Sequence, residues 1–217
     1  MANGCNQNPI GSCSEAEGLN TTANGAASHA EGFQTIANAD TSHAEGNTTT
    51  AGGAASHTEG HLTETTADTA HAEGNSTTAS GDASHAEGYL TTASGHHAHA
   101  EGSNTIASGQ ASHAEGQGSI ARGDNSHVEG LNTQTAVGAS NAHAEGGDTT
   151  ASGPASHAEG SGTTASGPQS HAEGEGSTAS GRTSHAEGVS TIASGDFSHS
   201  EGQLTTASGT FSHAEGG

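Results

Sequence analysis

Small and ionisable residues alternate along the chain in short segments. In Ser28-His29-Ala30-Glu31 a small residue precedes each ionisable one, and Thr35-Ile36-Ala37-Asn38 alternates in the same way. A period of two is typical of a β-strand with two different faces. Most segments are followed by glycine and two variable residues, which is a turn signal. The pattern therefore predicts strand, turn, strand, turn, with the Ser, Thr and Ala side chains inside and no helix.

This pattern belongs to a unit that repeats along nearly the whole chain. The unit is Ser-His-Ala-Glu-Gly-x-x-Thr-Thr/Ile-Ala-Ser-Gly-x-x, and its motif occurs 15 times between Ser14 and Gly216. The motif histidines are 14 residues apart, except that His127 and His143 are 16 apart, which places a two-residue insertion within 131–141. A repeat held in phase predicts stacked coils. We therefore expect an all-β solenoid of about 15 coils over residues 14–217, preceded by a cysteine-containing cap or linker over 1–13.

Composition and charge exclude several classes of protein. Apolar residues make up 27% of the 217 residues, against about 45–50% in globular domains, so a conventional core is excluded. The formal net charge is −22, with only two basic residues, which argues against nucleic acid as a partner. No apolar run approaches the roughly 20 residues that span a bilayer, so we expect no membrane contact within this segment. A core of Ala, Ser and Thr is thin, and oligomerisation commonly stabilises such scaffolds.

The unit resembles the head repeat of trimeric autotransporter adhesins, typified by the YadA head. That repeat reads Ser-Val-Ala-Ile-Gly-x-x-Ser-x-Ala-x-Gly-x-x, and residues 28–38 align with it position by position. The resemblance covers about residues 14–217. It implies a left-handed parallel β-roll, assembled as a parallel homotrimer, displayed extracellularly at a bacterial surface and used for attachment. His and Glu stand where the family has Val and Ile facing the trimer centre.

The His-x-Glu pairs form the most chemical feature of the sequence, because residues two apart on a strand share a face. We expect a structural ladder in the trimer interface, in which His and Glu pair between chains and the carboxylates raise the histidine pKa. The alternative is a metal-binding array. The uniform repeat offers no convergent pocket, so no catalytic residue, cofactor or dedicated metal site is predicted. The ladder comprises His29, Glu31, His43, Glu45, His57, Glu59, His71, Glu73, His85, Glu87, His99, Glu101, His113, Glu115, His127, Glu129, His143, Glu145, His157, Glu159, His171, Glu173, His185, Glu187, His199, Glu201, His213 and Glu215.

Two smaller features are candidate sites. Arg122-Gly123-Asp124 spells an integrin-type tripeptide at a turn, although the repeat itself accounts for Gly and Asp there. Cys5 and Cys13 are eight residues apart and are candidates for a local disulfide or for links between chains.

These observations favour a non-enzymatic, trimeric adhesin head or rod that attaches to an extracellular-matrix or host-surface ligand. The Ser-His-Ala-Glu-Gly array of this chain also resembles arrays in bacterial surface and phage-fibre proteins. A structural fibre or spacer module of a phage or spore is therefore the alternative. An open solenoid end exposes unpaired strands, so we also expect end-to-end self-association.

Overall fold

The structure is a computed structural model that describes residues 6–217. The chain divides into two compact units, Met1–Thr105 and Ile106–Gly217. Each unit is a parallel β-solenoid with two strands per coil, and the units contain about 15 coils between them. The described residues include no helix, and hence none that could span a membrane. The predicted all-β solenoid is confirmed.

In the first unit the odd-numbered strands form one parallel sheet and the even-numbered strands form another. Neighbouring strands pair with a shift of 14 residues, as His71 pairs with His85. The strands are β1 (Gln7–Pro9), β2 (Glu15–Leu19), β3 (Thr21–Ala23), β4 (His29–Phe33), β5 (Ile36–Ala37), β6 (His43–Asn47), β7 (Thr50–Ala51), β8 (His57–His61), β9 (Glu64–Thr65), β10 (His71–Asn75), β11 (Thr78–Ala79), β12 (His85–Tyr89), β13 (Thr92–Ala93) and β14 (His99–Ala100).

The second unit is built in the same way, again with odd- and even-numbered strands in separate parallel sheets. Its strands are β15 (Ile106–Ala107), β16 (His113–Ala114), β17 (Ile120–Ala121), β18 (His127–Leu131), β19 (Gln134–Thr135), β20 (His143–Gly147), β21 (Thr150–Ala151), β22 (His157–Ser161), β23 (Thr164–Ala165), β24 (His171–Glu175), β25 (Thr178–Ala179), β26 (His185–Val189), β27 (Ile192–Ala193), β28 (His199–Gln203), β29 (Thr206–Ala207) and β30 (His213–Ala214).

The interior of each coil holds only small side chains. Ser28, Ala30, Thr35 and Ala37 are buried, as the alternation predicts, and their equivalents are buried in all coils except the first and the last ones. The motif serine also closes a turn, because the Ser28 hydroxyl donates a 2.8 Å hydrogen bond to the carbonyl oxygen of Gly25. This contact satisfies a buried hydroxyl that would otherwise destabilise the core. The motif histidine and glutamate consequently point away from the interior.

The glycine after each motif glutamate is required by close stacking. These glycines have positive φ values, such as +103° at Gly160, and a Cβ there would overlap the backbone of the next coil. Only glycine combines such a φ with such an approach at little cost. The motif therefore ends in glycine in all 15 copies.

Two irregular segments follow the path of the solenoid. Gln7–Pro9 pairs in parallel with Thr21–Ala23, so a strand forms within the predicted cap or linker. In the longer coil His127 still pairs with His143, and the extra residues project outward at Val137, which is 83% exposed. Turns absorb the insertion while the ladder stays in register.

Candidate functional site

The ladder of motif His and Glu residues lies on the outer face of the even-numbered strands. The histidine begins each strand from β4 onward and the glutamate follows two residues later, so both side chains share one face. These side chains are half-buried: His71 and Glu73 are 35% and 33% exposed. The same geometry recurs coil after coil because the register is fixed.

The imidazole rings stack on one another within each unit. From His29 to His99, and again from His113 to His213, successive ring centroids lie 4.7–5.0 Å apart with interplanar angles of 1–17°. This spacing is that of parallel strands. Each ring thus covers the face of its neighbour and leaves one edge to its surroundings.

The carboxylates stand between consecutive imidazoles. Glu159 places Oε2 3.7 Å from Nε2 of His157 and Oε1 3.9 Å from Nε2 of His171. Glu187 lies in the same way between His185, at 3.7 Å, and His199, at 3.9 Å. These N···O separations exceed the 2.7–3.2 Å of an N–H···O hydrogen bond. They are close electrostatic contacts in which the carboxylate bridges two rungs.

The Nε2 atoms of the ladder are shielded from solvent. Most of them have almost no accessible surface and no hydrogen-bond partner among the described residues; they include those of His29, His43, His57, His71, His85, His127, His143, His157, His171, His185 and His199. A buried polar atom without a partner destabilises a fold by about 1–3 kcal/mol.

Burial sets the direction of the histidine pKa values. The pKa of His43 is lowered from 6.5, first by burial and then by repulsion from stacked His57 and His29, while Glu45 and Glu31 oppose the shift. Burial likewise lowers the pKa values of His71, His143 and His171. The carboxylates do act to raise the pKa of these four histidines, as expected, but the net shift within one chain is downward, and the effect of pairing between chains stays a prediction. Desolvation and the neighbouring imidazoles outweigh carboxylates that lie beyond hydrogen-bonding distance.

One carboxyl group is shifted as well. The pKa of Glu187 is lowered, first by hydrogen bonding with the carboxyl groups of Glu173 and Glu201 on adjacent coils and then by His185 and His199. The glutamates of the ladder thus interact with one another along the unit as well as with the imidazoles.

The glutamates and the glycines beside them line an open groove in each unit. Because the glycines carry no side chain, an open groove of about 1030 Å³ lies beside the carboxylates between Glu129 and Gly216. A smaller trough of about 420 Å³ runs between Glu45 and Gly88. Both have carboxylate walls and are suited to cations. Sequence reasoning missed them, although the invariant Glu-Gly pair was the available signal.

Hydrogen bonds hold the integrin-type tripeptide in its turn. The Asp124 carboxylate accepts a 2.9 Å hydrogen bond from the Gln110 backbone N–H, and the Arg122 guanidinium donates one of 3.2 Å to Gln134. Gly123 is buried. Integrin recognition stays a prediction. The same carboxylate contact recurs at Asp40, Asp68 and Asp196, which shows its structural role.

The predicted disulfide falls partly outside the described residues. Cys5 lies there, whereas Cys13 is exposed and forms no disulfide with a described residue. The pairing stays a prediction. Three further histidines, His61, His96 and His97, are exposed and lie off the ladder.

Comparison with known protein families finds a match to part of the repeat. The family model described as the YadA head domain repeat, in two copies, matches residues 86–112, 100–126, 144–170 and 172–198. No curated protein matches the chain. The matched segments contain the Ser-His-Ala-Glu-Gly motif and the strands that carry the ladder.

Proposed function

The chain carries YadA head domain repeats, and on that premise we propose that it is the head of a trimeric, non-enzymatic adhesin at a bacterial surface. In this proposal the solenoid is a left-handed β-roll, and three parallel chains form a homotrimer. The family is one of adhesin domains, which supports attachment as the role and gives no ground for expecting an enzyme.

The observation that carries the proposal is the half-buried ladder. Many of its Nε2 atoms, such as that of His157, are buried without a hydrogen-bond partner within one chain, and its imidazoles and carboxylates alternate from coil to coil in each unit. Three such faces around an axis would set histidines of one chain beside glutamates of another. Pairing there would satisfy the buried atoms and exclude the remaining water. We therefore assign the ladder to the trimer interface.

The core supports assembly on energetic grounds. Its largest fully buried side chains are Val128 and threonines, and most interior positions are alanine or serine. Burial stabilises a fold by about 25 cal/mol per Å² of apolar surface, so alanines contribute little each. Association of three chains adds the buried area that one thin coil lacks.

The ligand-binding surface is proposed to be the variable turns. Large apolar side chains are exposed there, including Leu62, Tyr89, Leu90 and Phe197. Phe197 and Phe211 stack on adjacent coils with centroids 5.1 Å apart. Exposed aromatic and aliphatic residues on a rigid scaffold are typical of protein-binding surfaces.

Two measurements test this function. Light scattering after size exclusion should give three chain masses, and a folded monomer would refute the trimer. Immobilised protein should bind collagen, fibronectin or host cells, whereas a variant with Tyr89→Ser and Leu90→Ser should bind less while keeping its mass. Absence of binding in every case would contradict the adhesin role.

The second candidate is a structural spacer in a phage fibre, a spore surface or a self-assembling filament. The uniformity of the coils favours it, because the ladder and the core repeat with little variation from β4 to β14 and from β16 to β30. A trimer that binds none of the surfaces, and assemblies heavier than three chains that form end to end, would support this role.

A further inference from the structure

We propose that the ladder binds divalent transition-metal ions of the zinc class, each held by one histidine and two bridging glutamates. The unit is represented by His157 with Glu145 and Glu159, and it recurs along both solenoid units. Twelve groups of at least three possible ligand residues, among them His157 with Glu159 and His171, bring one ligand atom from each side chain within 4.8 Å of one another.

The separations between ligand atoms suit a shared ion. Nε2 of His157 lies 3.8 Å from Oε1 of Glu145 and 3.7 Å from Oε2 of Glu159. Two ligands about 2.0–2.2 Å from one tetrahedral zinc ion lie about 3.3–3.6 Å apart. The ladder N···O separations, 3.4–4.0 Å, are too long for hydrogen bonds and within a few tenths of an ångström of this range.

The ligand atoms are also available. Nε2 of His157 is shielded from water and has no hydrogen-bond partner, so binding an ion breaks no existing contact. The neutral imidazole supplies the lone pair that binds the ion. The carboxylates line a groove that is open in the single chain, so an ion can reach them from solvent before three chains assemble.

The arrangement explains how a row of carboxylates can stack. Each ladder glutamate has two oxygens directed toward two histidines, as Glu159 does toward His157 and His171, so consecutive sites share a bridging carboxylate. Ions between the rungs would offset the repulsion between glutamates of adjacent coils. The imidazole nitrogen favours Zn²⁺, Co²⁺, Ni²⁺ and Cu²⁺ over Ca²⁺ and Mg²⁺, which prefer oxygen alone.

The test is calorimetric titration of the metal-stripped full chain with ZnCl₂ and, separately, CaCl₂. Zinc should bind at several sites per chain and calcium at least tenfold more weakly. A chain that binds no zinc, or that binds calcium equally well, would overturn the proposal.

Variants then locate the ions. The change Glu145→Gln, Glu159→Gln and Glu173→Gln preserves side-chain shape and should remove the zinc sites at those rungs. The matched control changes His61, His96 and His97, all off the ladder, to Gln and should leave the ladder sites intact. Equal loss of zinc in the control would place the ions elsewhere and refute the ladder sites.

A measurement on the unaltered chain keeps the test decisive if the variants fold poorly. In long-range ¹H–¹⁵N spectra, zinc should shift the Nε2 resonances of ladder histidines and leave those of the three control histidines in place. Shifts confined to the control histidines would overturn the proposal.

Discussion

The motif glycine is the position where a single methyl group should cause the greatest loss of stability. Gly160 has φ +103°, and a Cβ added there would overlap the carbonyl oxygen of Gly174 in the next coil. The change Gly160→Ala therefore combines an unfavourable backbone conformation with a clash against backbone, which cannot rotate away.

The loss follows from these two effects. A side chain at positive φ costs about 1–2 kcal/mol. Relieving the clash requires local separation of the coils, which would break about two backbone hydrogen bonds worth about 0.5–1.5 kcal/mol each. The His157 N–H donates one such bond of 2.9 Å to Ser170. The free energy of unfolding should fall by about 2–5 kcal/mol.

Two neighbouring glycines separate the two effects. Gly162 has φ +65° but open space around its Cβ position, so Gly162→Ala should lose at most about 1–2 kcal/mol. Other coils place Leu62 and Ser76 at the equivalent position, with φ 55° and 57°. Gly147 has open space and no positive φ, so Gly147→Ala should be neutral or stabilising by about 0.4–1 kcal/mol.

The assay is guanidinium denaturation of the three variants and the parent chain, followed by far-ultraviolet circular dichroism. The order of stability should be Gly147→Ala, Gly162→Ala, Gly160→Ala, with the last well separated. If the free energies of unfolding of Gly160→Ala and Gly162→Ala differ by less than about 0.5 kcal/mol, the coils separate at little cost and the reasoning is refuted.

Three further predictions concern protonation, turns and the core. Without metal, the melting temperature should be higher at pH 7.5 than at pH 5.5, because the folded-state pKa values of His43, His71, His143 and His171 are lowered from 6.5. Their contribution to stability is present above pH 6.5 and is lost as the pH falls, so a higher melting temperature at pH 5.5 would contradict this prediction. Asp68→Ala should lower the free energy of unfolding by about 1 kcal/mol, because the carboxylate accepts a 2.8 Å hydrogen bond from the Ala54 N–H. Asp68→Asn should retain most of this stability. Ala158→Leu should destabilise by about 1–3 kcal/mol through overpacking, and Ala158→Val by less, because Val128 fits the equivalent position; equal melting of both would show a looser core.

The sequence alone was sufficient to predict the structure of one coil. Alternation in Ser28-His29-Ala30-Glu31 and the 14-residue phase were enough to predict two strands per coil, a small-residue interior and an outward His-Glu ladder, all of which the structure has. This succeeded because every coil has the same neighbours, so local pattern and packing agree. Where the repeat is broken the sequence was less informative, and the strand at Gln7–Pro9 shows no motif.

The contacts and pKa values of the ladder side chains depend on the tertiary structure. Spacing alone placed His157 and Glu159 on one face, but stacking of the coils set Nε2 3.7 Å from that carboxylate and 3.8 Å from Glu145. Burial and repulsion from the stacked imidazoles then lowered histidine pKa values that the carboxylates alone would raise. Distances of a few tenths of an ångström separate a hydrogen bond from an electrostatic contact or an ion site. The contact with Glu145 and the desolvation of the ladder arise only when coils stack, because they depend on residues 12 to 14 positions away in the chain.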